Sequence, residues 1–492
     1  MSWTALALLV LLPAAGAGAE KGSAPTPRPI PERPEALLDA PHQPRLPDPR
    51  AHRRELTGGV PLYLAEDHAL PLAEVTLLLR VGDFLEPLGE TGRAALTARS
   101  WRRGGTTRLA PAAFEEALER LGGRLSVSPG LAHTSVTLNV LAANLPAALD
   151  LLFELLAHPG FEAGALAAEQ RATFEAMLKR NEDLAVLGAR TWDRLANGPE
   201  HFAARLPTAA EVVKHDRAAV AAFHQRWWGP RNLVVAVSGT VEPDALVRQL
   251  EKGLAEWGNA AEPAPWPQAQ PAGAAPGWRW LNRPGPQSWL ALGGPGLSWA
   301  GRWEDPRLYA TALAHEILIG GGFPSRLVGR LREAEGLVYF PASEPGLGPL
   351  WPVPWQIRFQ TRPESMERAI TIVREELARL GAEAPSPGEL DLARTSLLSR
   401  LARGLESRRD RAVAFALDEL QGRPLDFWPR AAERYGAATP AQVQAAARQL
   451  YAAPVWVLEV GPEGTLRSAA AAAGAEVEEL PLLDPMTLKP GG

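Results

Sequence analysis

Cysteine is absent from all 492 residues, so no disulfide can form and stability has to come from burial, which a chain of this length can supply. Histidine is sparse: His42, His52, His68, His133, His158, His201, His215, His224 and His315 make up the set, and no two stand three to five residues apart. Two imidazoles one helical turn apart, the usual seed of a helical zinc site, are therefore missing. His52-Arg-Arg-Glu55 has no second histidine, and His315-Glu316 falls in the apolar run ALAHEILIG, where packing is the simpler reading. Ligands converging from distant segments stay open as an alternative. Clusters of Lys and Arg interleaved with aromatics are also lacking, and the formal net charge is only −5, so nucleic acid is not an expected partner. No G-x-S-x-G elbow, Walker A loop or strand–GxGxxG–helix occurs, which removes the common hydrolase and nucleotide-binding templates. After residue 20 no apolar run approaches the roughly 18 residues of a membrane span.

What is present begins with residues 1–19, MSWTALALLVLLPAAGAGA, where an apolar run from Ala5 to Leu12 precedes Ala17-Gly18-Ala19. This pattern predicts a signal peptide cleaved after Ala19, with an uncleaved anchor as the alternative, and a periplasmic or secreted mature chain. No cysteine follows it, so a lipid anchor on an N-terminal cysteine is not expected. Residues 20–53 are a proline-rich lead-in. Order is expected from residue 54: a first α/β unit at 54–261, a Pro/Ala-rich linker at 262–277, a second unit at 278–465, and an Ala- and acid-rich tail at 466–492, expected to be poorly ordered. In the first unit, VPLYLAEDHALPLAEVTLLLR alternates around Glu66-Asp67-His68 as strand, turn and strand. Helices are predicted over Gly89 to Arg102, Pro111 to Leu121, Leu145 to Leu156 and Ala163 to Arg180, with paired strands starting at Arg124 and Thr134. The second unit echoes the first: Ala312-Leu313 repeat Ala95-Leu96, Gly321-Gly322 repeat Gly104-Gly105, and PVWVLEVG repeats RNLVVAVSG. Two matching halves of about 200 residues indicate an internal duplication. The 16 tryptophans are scattered, as core or interface packing would have them.

The segment Gly92 to Thr106, GRAALTARSWRRGGT, resembles GLAHxLEHMxxxGT, which carries the inverted zinc motif HxxEH of the M16 (pitrilysin/insulinase-like) metallopeptidases. Gly92, Ala94, Leu96, Gly105 and Thr106 keep the frame. Ala95 and Arg99 stand where that family has its zinc-binding histidines, and Ala98 where it has the glutamate that activates water. HxxEH works because residues three and four apart share a helical face; alanine offers no lone pair, and arginine is a permanent cation that repels zinc. The family's third ligand is a glutamate on a second helix. Ala176 occupies the matching position in EQRATFEAMLKRNED, flanked by Glu175 and Met177, with Glu169 where a supporting acid often stands. The resemblance thus implies four vacated metal-site positions, Ala95, Ala98, Arg99 and Ala176, and no metal bound by this chain.

The second half holds GGGFPSRLVGRLREAEGLVY, from Gly320 to Tyr339, which resembles the M16 pattern GGGxxSRLxxxLRExxGLxY. Its signature positions are Gly320, Gly321, Gly322, Ser325, Arg326 and Gly336. Ser325 is a candidate N-cap for a helix from Arg326 to Ala334, Gly336 its stop, and Leu337 to Phe340 the start of a strand. In M16 enzymes the arginine and tyrosine equivalent to Arg332 and Tyr339 reach into the zinc site of the other half. A guanidinium fork suits carbonyls, and a phenol can donate to a developing oxyanion. For an isolated Arg/Tyr pair the alternative is a helix-capping arginine and a half-buried strand aromatic.

The resemblance implies an α+β fold of two homologous halves, each a mainly antiparallel sheet with helices on one face, closing a chamber. It implies a non-catalytic subunit that pairs with an HxxEH-bearing M16 subunit, which holds the zinc, and donates Arg332 and Tyr339 to peptide or unfolded-protein substrates. Such a chain is not expected to be a peptidase alone. The edge strand after Gly122-Gly123 corresponds to the one on which M16 catalytic subunits bind peptide by strand addition. The alternative is an inert structural or binding subunit of the same fold.

Overall fold

The computed structural model describes residues 46–258, 260–266, 270–452, 455–462 and 464–491. The predicted signal peptide and the lead-in up to residue 45, His42 included, lie outside the described residues.

The first half runs β1 (Arg53–Leu56), β2 (Val60–Glu66), β3 (Leu72–Leu79), α1 (Arg93–Arg103), α2 (Pro111–Arg120), β4 (Arg124–Pro129), β5 (Thr134–Leu141), α3 (Leu145–Ala157), α4 (Ala163–Leu178), α5 (Leu184–Asn197), α6 (Ala209–Lys214), α7 (Arg217–Trp227), β6 (Leu233–Gly239) and α8 (Pro243–Trp257). Local chemistry sets several of these limits. Pro111, Pro146 and Pro243 stand in first turns, where a missing N–H removes no helical bond. Asp183, Thr208 and Asp216 accept hydrogen bonds from the following turn as N-caps. The strands form one sheet in the order β1-β2-β6-β3-β5-β4. β6 is parallel to β2 and antiparallel to β3. The last strand of the half therefore separates the two arms predicted on either side of Glu66-Asp67-His68.

The second half runs β7 (Gly277–Asn282), β8 (Ser288–Gly294), β9 (Leu297–Ser298), α9 (Pro306–His315), α10 (Arg326–Val328), β10 (Ala342–Glu344), β11 (Leu347–Gly348), β12 (Trp355–Thr361), α11 (Met366–Ala382), α12 (Pro387–Arg403), α13 (Arg408–Leu420), α14 (Phe427–Ala437), α15 (Pro440–Tyr451), β13 (Trp456–Gly461), α16 (Thr465–Ala472) and β14 (Val477–Leu480). Wider π-helical turns extend α9 over Glu316–Gly320 and α10 over Gly329–Ala334. Its sheet has the order β10-β12-β8-β13-β7-β14. From the opposite end, β7, β13, β8, β12 and β10 take the places of β2, β6, β3, β5 and β4, with the same single parallel pair followed by antiparallel ones. The duplication read from the sequence is thus a duplication of topology, and the fold is α+β in two related halves.

Each half packs its own helices on one face of its sheet, as expected, and a helix of the other half covers the opposite face. Tyr63, Ala65, Leu78, Val234 and Ala236 of the first sheet join one core with Ala412, Phe415 and Ala416 of α13. The alternate residues Leu62, Leu64, Val75, Leu77, Val235 and Val237 face α1, α3 and α8. In return α5 lays Leu187, Trp192 and Leu195 on Trp289, Ala291, Leu458 and Val460 of the second sheet. Gly188 permits that approach, since a Cβ there would lie 2.4 Å from the Trp289 ring. Strands buried on both faces read as near-continuous apolar runs, which accounts for LVVAVSG and WVLEVG. A polar clasp joins the halves beside α13: Glu419 accepts from Tyr63 (2.5 Å) and from both arms of the Arg53 fork (3.0 and 3.1 Å). Fully buried tryptophans, among them Trp101, Trp192 and Trp355, fill these cores.

One region differs from expectation, the tail. In the linker at 262–277, aperiodic as read, the described residues on either side of 267–269 are strapped down: Asn232 donates to Glu262 O (2.8 Å) and accepts from Ala264 N (2.7 Å), and Ala272 and Ala274 donate to Asn197 and Leu195. The tail beyond residue 465 is not a poorly ordered extension. It supplies α16 and then β14, which pairs in parallel with β7. Met486 beyond it packs on the first-half core and accepts a hydrogen bond from Ala209 N (2.8 Å). A run rich in Ala and Glu has weak intrinsic strand preference; an unpaired edge on β7 decides its state.

Candidate functional site

The vacated metal positions lie on α1 and α4, which pack against one another. Ala98 is fully buried (0 % exposed), Ala95 is half-buried, and Arg99 and Ala176 are exposed. The surrounding frame persists for reasons that do not involve metal. Gly92 (φ 91°) and Gly105 (φ 63°) hold left-handed backbone that side chains disfavour. At Gly105 a Cβ would also lie 2.5 Å from Leu109 O. Ala94 and Leu96 are core residues, and the Thr106 hydroxyl accepts from Arg108 N and Leu109 N (3.1 and 2.9 Å).

The carboxylates near this region are committed elsewhere. Glu86 caps the start of α1, accepting from Gly92 N (3.0 Å) and Ala94 N (2.7 Å). Its carboxyl is pushed up to about 8 by burial and by neighbouring Asp83, against the pull of those two amides. Asp83 is pushed up to about 6 by burial, with Arg205 and Arg99 opposing. Glu169, the candidate supporting acid, is buried and paired with Arg103 at 3.0 Å. Zinc asks for three protein ligands with free lone pairs. The four positions provide none, and among the described residues no group of three His, Cys, Asp or Glu comes together. The donor set does not suit zinc. Two of the histidines are packed in the interior: burial takes His224 down to about 3 and His315 to about 4, and His315 Nε2 meets the Ser343 hydroxyl at 3.0 Å.

The signature of the second half forms a braced turn. Gly320 leaves room for Glu316, since a Cβ there would lie 2.7 Å from its Oε2. Glu316 is buried, accepts from Ser396 (2.6 Å) and pairs with Arg400, which also donates to Gly320 O (3.2 Å). Arg326 grips Glu389 with its fork (2.7 and 3.2 Å), and that fork holds the Glu389 carboxyl down to about 2. Glu389 in turn shares a capping box with Ser386 at the start of α12. Ser325 stands at the expected N-cap position, but its hydroxyl donates to Ile319 O (3.2 Å) and Gly322 O (2.5 Å) rather than accepting from the helix. The carbonyls freed by the preceding π turn and tight bend outcompete the amides for it.

Arg332 projects from the π turn and its guanidinium carbon lies 4.7 Å from the Phe323 ring centre and 5.0 Å from that of Tyr339. Tyr339, expected at the start of a strand, lies instead in a loop that precedes β10. Leu337 N and Val338 N both donate to Leu331 O (2.8 and 3.2 Å), which buries Val338 and turns Tyr339 outward, 84 % exposed. Among the described residues neither Arg332 nor Tyr339 has a side-chain hydrogen bond or ion pair, so Arg332 is not its own helix's cap. Phe323 and Phe340 are exposed beside them.

Edge strand β4 lies against α1, and Arg102 Nε donates to Leu125 O (2.8 Å) while its fork holds Glu115. That carbonyl is unavailable to an added strand. An aromatic contact also bridges the halves near Asp83: Phe202 meets Trp351 of the second half (4.8 Å) and Phe84 (6.4 Å). Neither feature was read from the sequence, because both join residues remote in the chain.

Two family models match: insulinase (peptidase family M16) over residues 63–196, and peptidase M16 inactive domain over residues 214–397. An uncharacterized zinc protease of Mycobacterium bovis is 26% identical over 436 residues, 85% of this chain and 94% of the relative. The non-peptidase homolog YmxG of Helicobacter pylori is 27% identical over 284 residues, 57% of this chain and 63% of that protein. Among solved structures, the peptidase M16 inactive domain from Pseudomonas fluorescens superposes with a TM-score of 0.74 at 24% identity, covering 84% of this chain and 98% of that one. The periplasmic protease PqqL from Escherichia coli gives 0.67 at 15% identity, over 84% of this chain and 45% of that one.

Proposed function

Because this chain belongs to the M16 (insulinase-like) peptidase family, we propose that it is the non-catalytic subunit of a zinc peptidase. It pairs with an HxxEH-bearing M16 chain that holds the zinc, and it donates Arg332 and Tyr339 to that chain's site. The observation that carries the reading is a half-exposed guanidinium packed on an exposed phenol, neither with a side-chain hydrogen bond or ion pair among the described residues, in a chain whose own metal positions hold no donor. In the partner's site the guanidinium would hold a substrate carbonyl and the phenol would stabilise charge on the attacked oxygen. Substrates on this reading are peptides or unfolded chains, and the location is periplasmic or secreted. Mixing the chain with such a partner should raise peptidase turnover, and Arg332→Ala or Tyr339→Phe should lower it by roughly 10²–10³-fold. Equal turnover with wild type and both variants would remove the proposal.

A second reading, an inert structural or binding subunit, draws support from the Leu125 carbonyl already held by Arg102, which weakens peptide addition at β4. It anticipates stable partner binding with no change in hydrolysis.

A further inference from the structure

A cavity of about 290 Å³ lies away from the vacated zinc positions, between α5, strands β7 and β14 and the segment after β14. Leucines contributed by all four of these elements line much of its wall. Set into that apolar wall are Arg180, Arg190, Arg194 and Arg279, against one lining carboxylate, Glu478. Glu478 is already used: Arg279 Nε holds it at 2.9 Å.

The cationic side is left over. Arg279 is 8 % exposed and its Nη1 has no partner; Arg190 Nε and Nη1 are likewise buried without one. Arg190 Nη2 is spent on Asn181 (3.1 Å) and the Arg180 carbonyl, and Arg180 Nη1 donates to Pro485 O (2.9 Å). Among the described residues the Arg194 side chain has neither hydrogen bond nor ion pair. Burial draws Arg180 down to about 10 and moves Arg190 and Arg194 the same way. Buried donors without acceptors are costly and rare in folded proteins. Guanidinium forks match the two oxygens of a carboxylate.

The wall that completes the cavity is specifically built. Asn181 Nδ2 ties down Leu483 O (2.9 Å), Asp484 Oδ1 accepts from Met486 N and Thr487 N (3.0 and 2.8 Å), and Leu488 is held at φ 55°, where residues other than glycine are uncommon. These bonds place Leu488 and its neighbours against the arginines.

We infer that this cavity binds a small monocarboxylate with an apolar body, its carboxylate on Arg190, Arg194 and Arg279 and its body among the leucines. A medium-chain fatty carboxylate and the free C-terminus of an apolar dipeptide share this chemistry. The site is independent of any zinc-bearing partner.

Calorimetric titration of the full chain at fixed ionic strength tests it with octanoate, octanol, Leu-Leu, Leu-Leu amide and inorganic phosphate. One or both carboxylates should bind one to one, at least tenfold tighter than the uncharged analogue and than phosphate; which of the two is tighter identifies the source. Arg190→Met and Arg194→Met should each weaken that binding tenfold or more. Octanol matching octanoate, phosphate matching both, or no binding of either carboxylate would overturn the inference, and this comparison on the unaltered chain needs no variant to fold. Unchanged affinity in both folded variants would overturn it equally.

Discussion

The two halves carry corresponding elements that have met opposite fates. Around α1 the charged side chains Glu86, Glu169 and Arg102 are satisfied from within, Glu86 by helix amides, Glu169 by Arg103, Arg102 by Leu125 and Glu115, while the buried Thr97 hydroxyl has no partner among the described residues. Around the π turn of the second half, Arg326 and Glu316 brace the turn through ion pairs, although Arg326 Nη1 is buried without a partner, and Arg332 and Tyr339 are left stacked with no side-chain hydrogen bond or ion pair among the described residues. A closed network marks residues kept for the fold. A pair on a braced turn with no internal hydrogen bond is what the proposed donation to a partner requires.

Variants at the two places should separate stability from activity. The largest effect on stability is expected from Ala98→Glu, which puts a carboxylate into the fully buried face of α1 and should cost about 3 kcal/mol by denaturant unfolding. The neighbouring exposed change Arg99→His should stay within about 0.5 kcal/mol. Similar losses for both would mean that the first-half site is open rather than filled.

A smaller effect concerns pH. The Glu86 carboxyl titrates in the folded chain near 8, above its ordinary 4.5, so between these values the native state holds a proton that the unfolded chain has lost. The stability it confers is full below the ordinary value and declines as pH rises through 8, at up to about 1.4 kcal/mol per pH unit. Glu86→Gln should flatten that slope in unfolding measured from pH 5 to 8.5; an unchanged slope would place the titrating group elsewhere. The smallest change in stability belongs to Arg332→Ala, within about 0.5 kcal/mol, despite its large expected effect on a partner's turnover. A markedly lowered midpoint would make Arg332 structural, like Arg326, and end the contrast.

Much of the first site was legible because HxxEH is a local pattern on one helix, and its loss is equally local. The second-half signature was legible as a motif, but the posture of Tyr339 was not. It depends on two amides converging on Leu331 O, which no periodicity encodes. Ser325 shows the same limit: its position follows from sequence, while the direction of its hydroxyl depends on carbonyls released by a π turn. The arginine cavity escaped detection although Arg190 and Arg194 stand one turn apart on α5. Such spacing ordinarily marks a solvated face, and only the strand and segment laid over it make that face the wall of a cavity.

Many of the helices and strands, the duplication and the lack of zinc donors at the four motif positions follow from the sequence itself, because period, caps and donor chemistry act over a few residues. Tertiary structure alone decided that β6 enters between β2 and β3, that α5 and α13 are exchanged between the halves, and that the final segment joins the second sheet. Each of these turns on which apolar face or open strand edge remains to be covered once the rest has folded. That is a property of the assembled surface, not of any one stretch of chain.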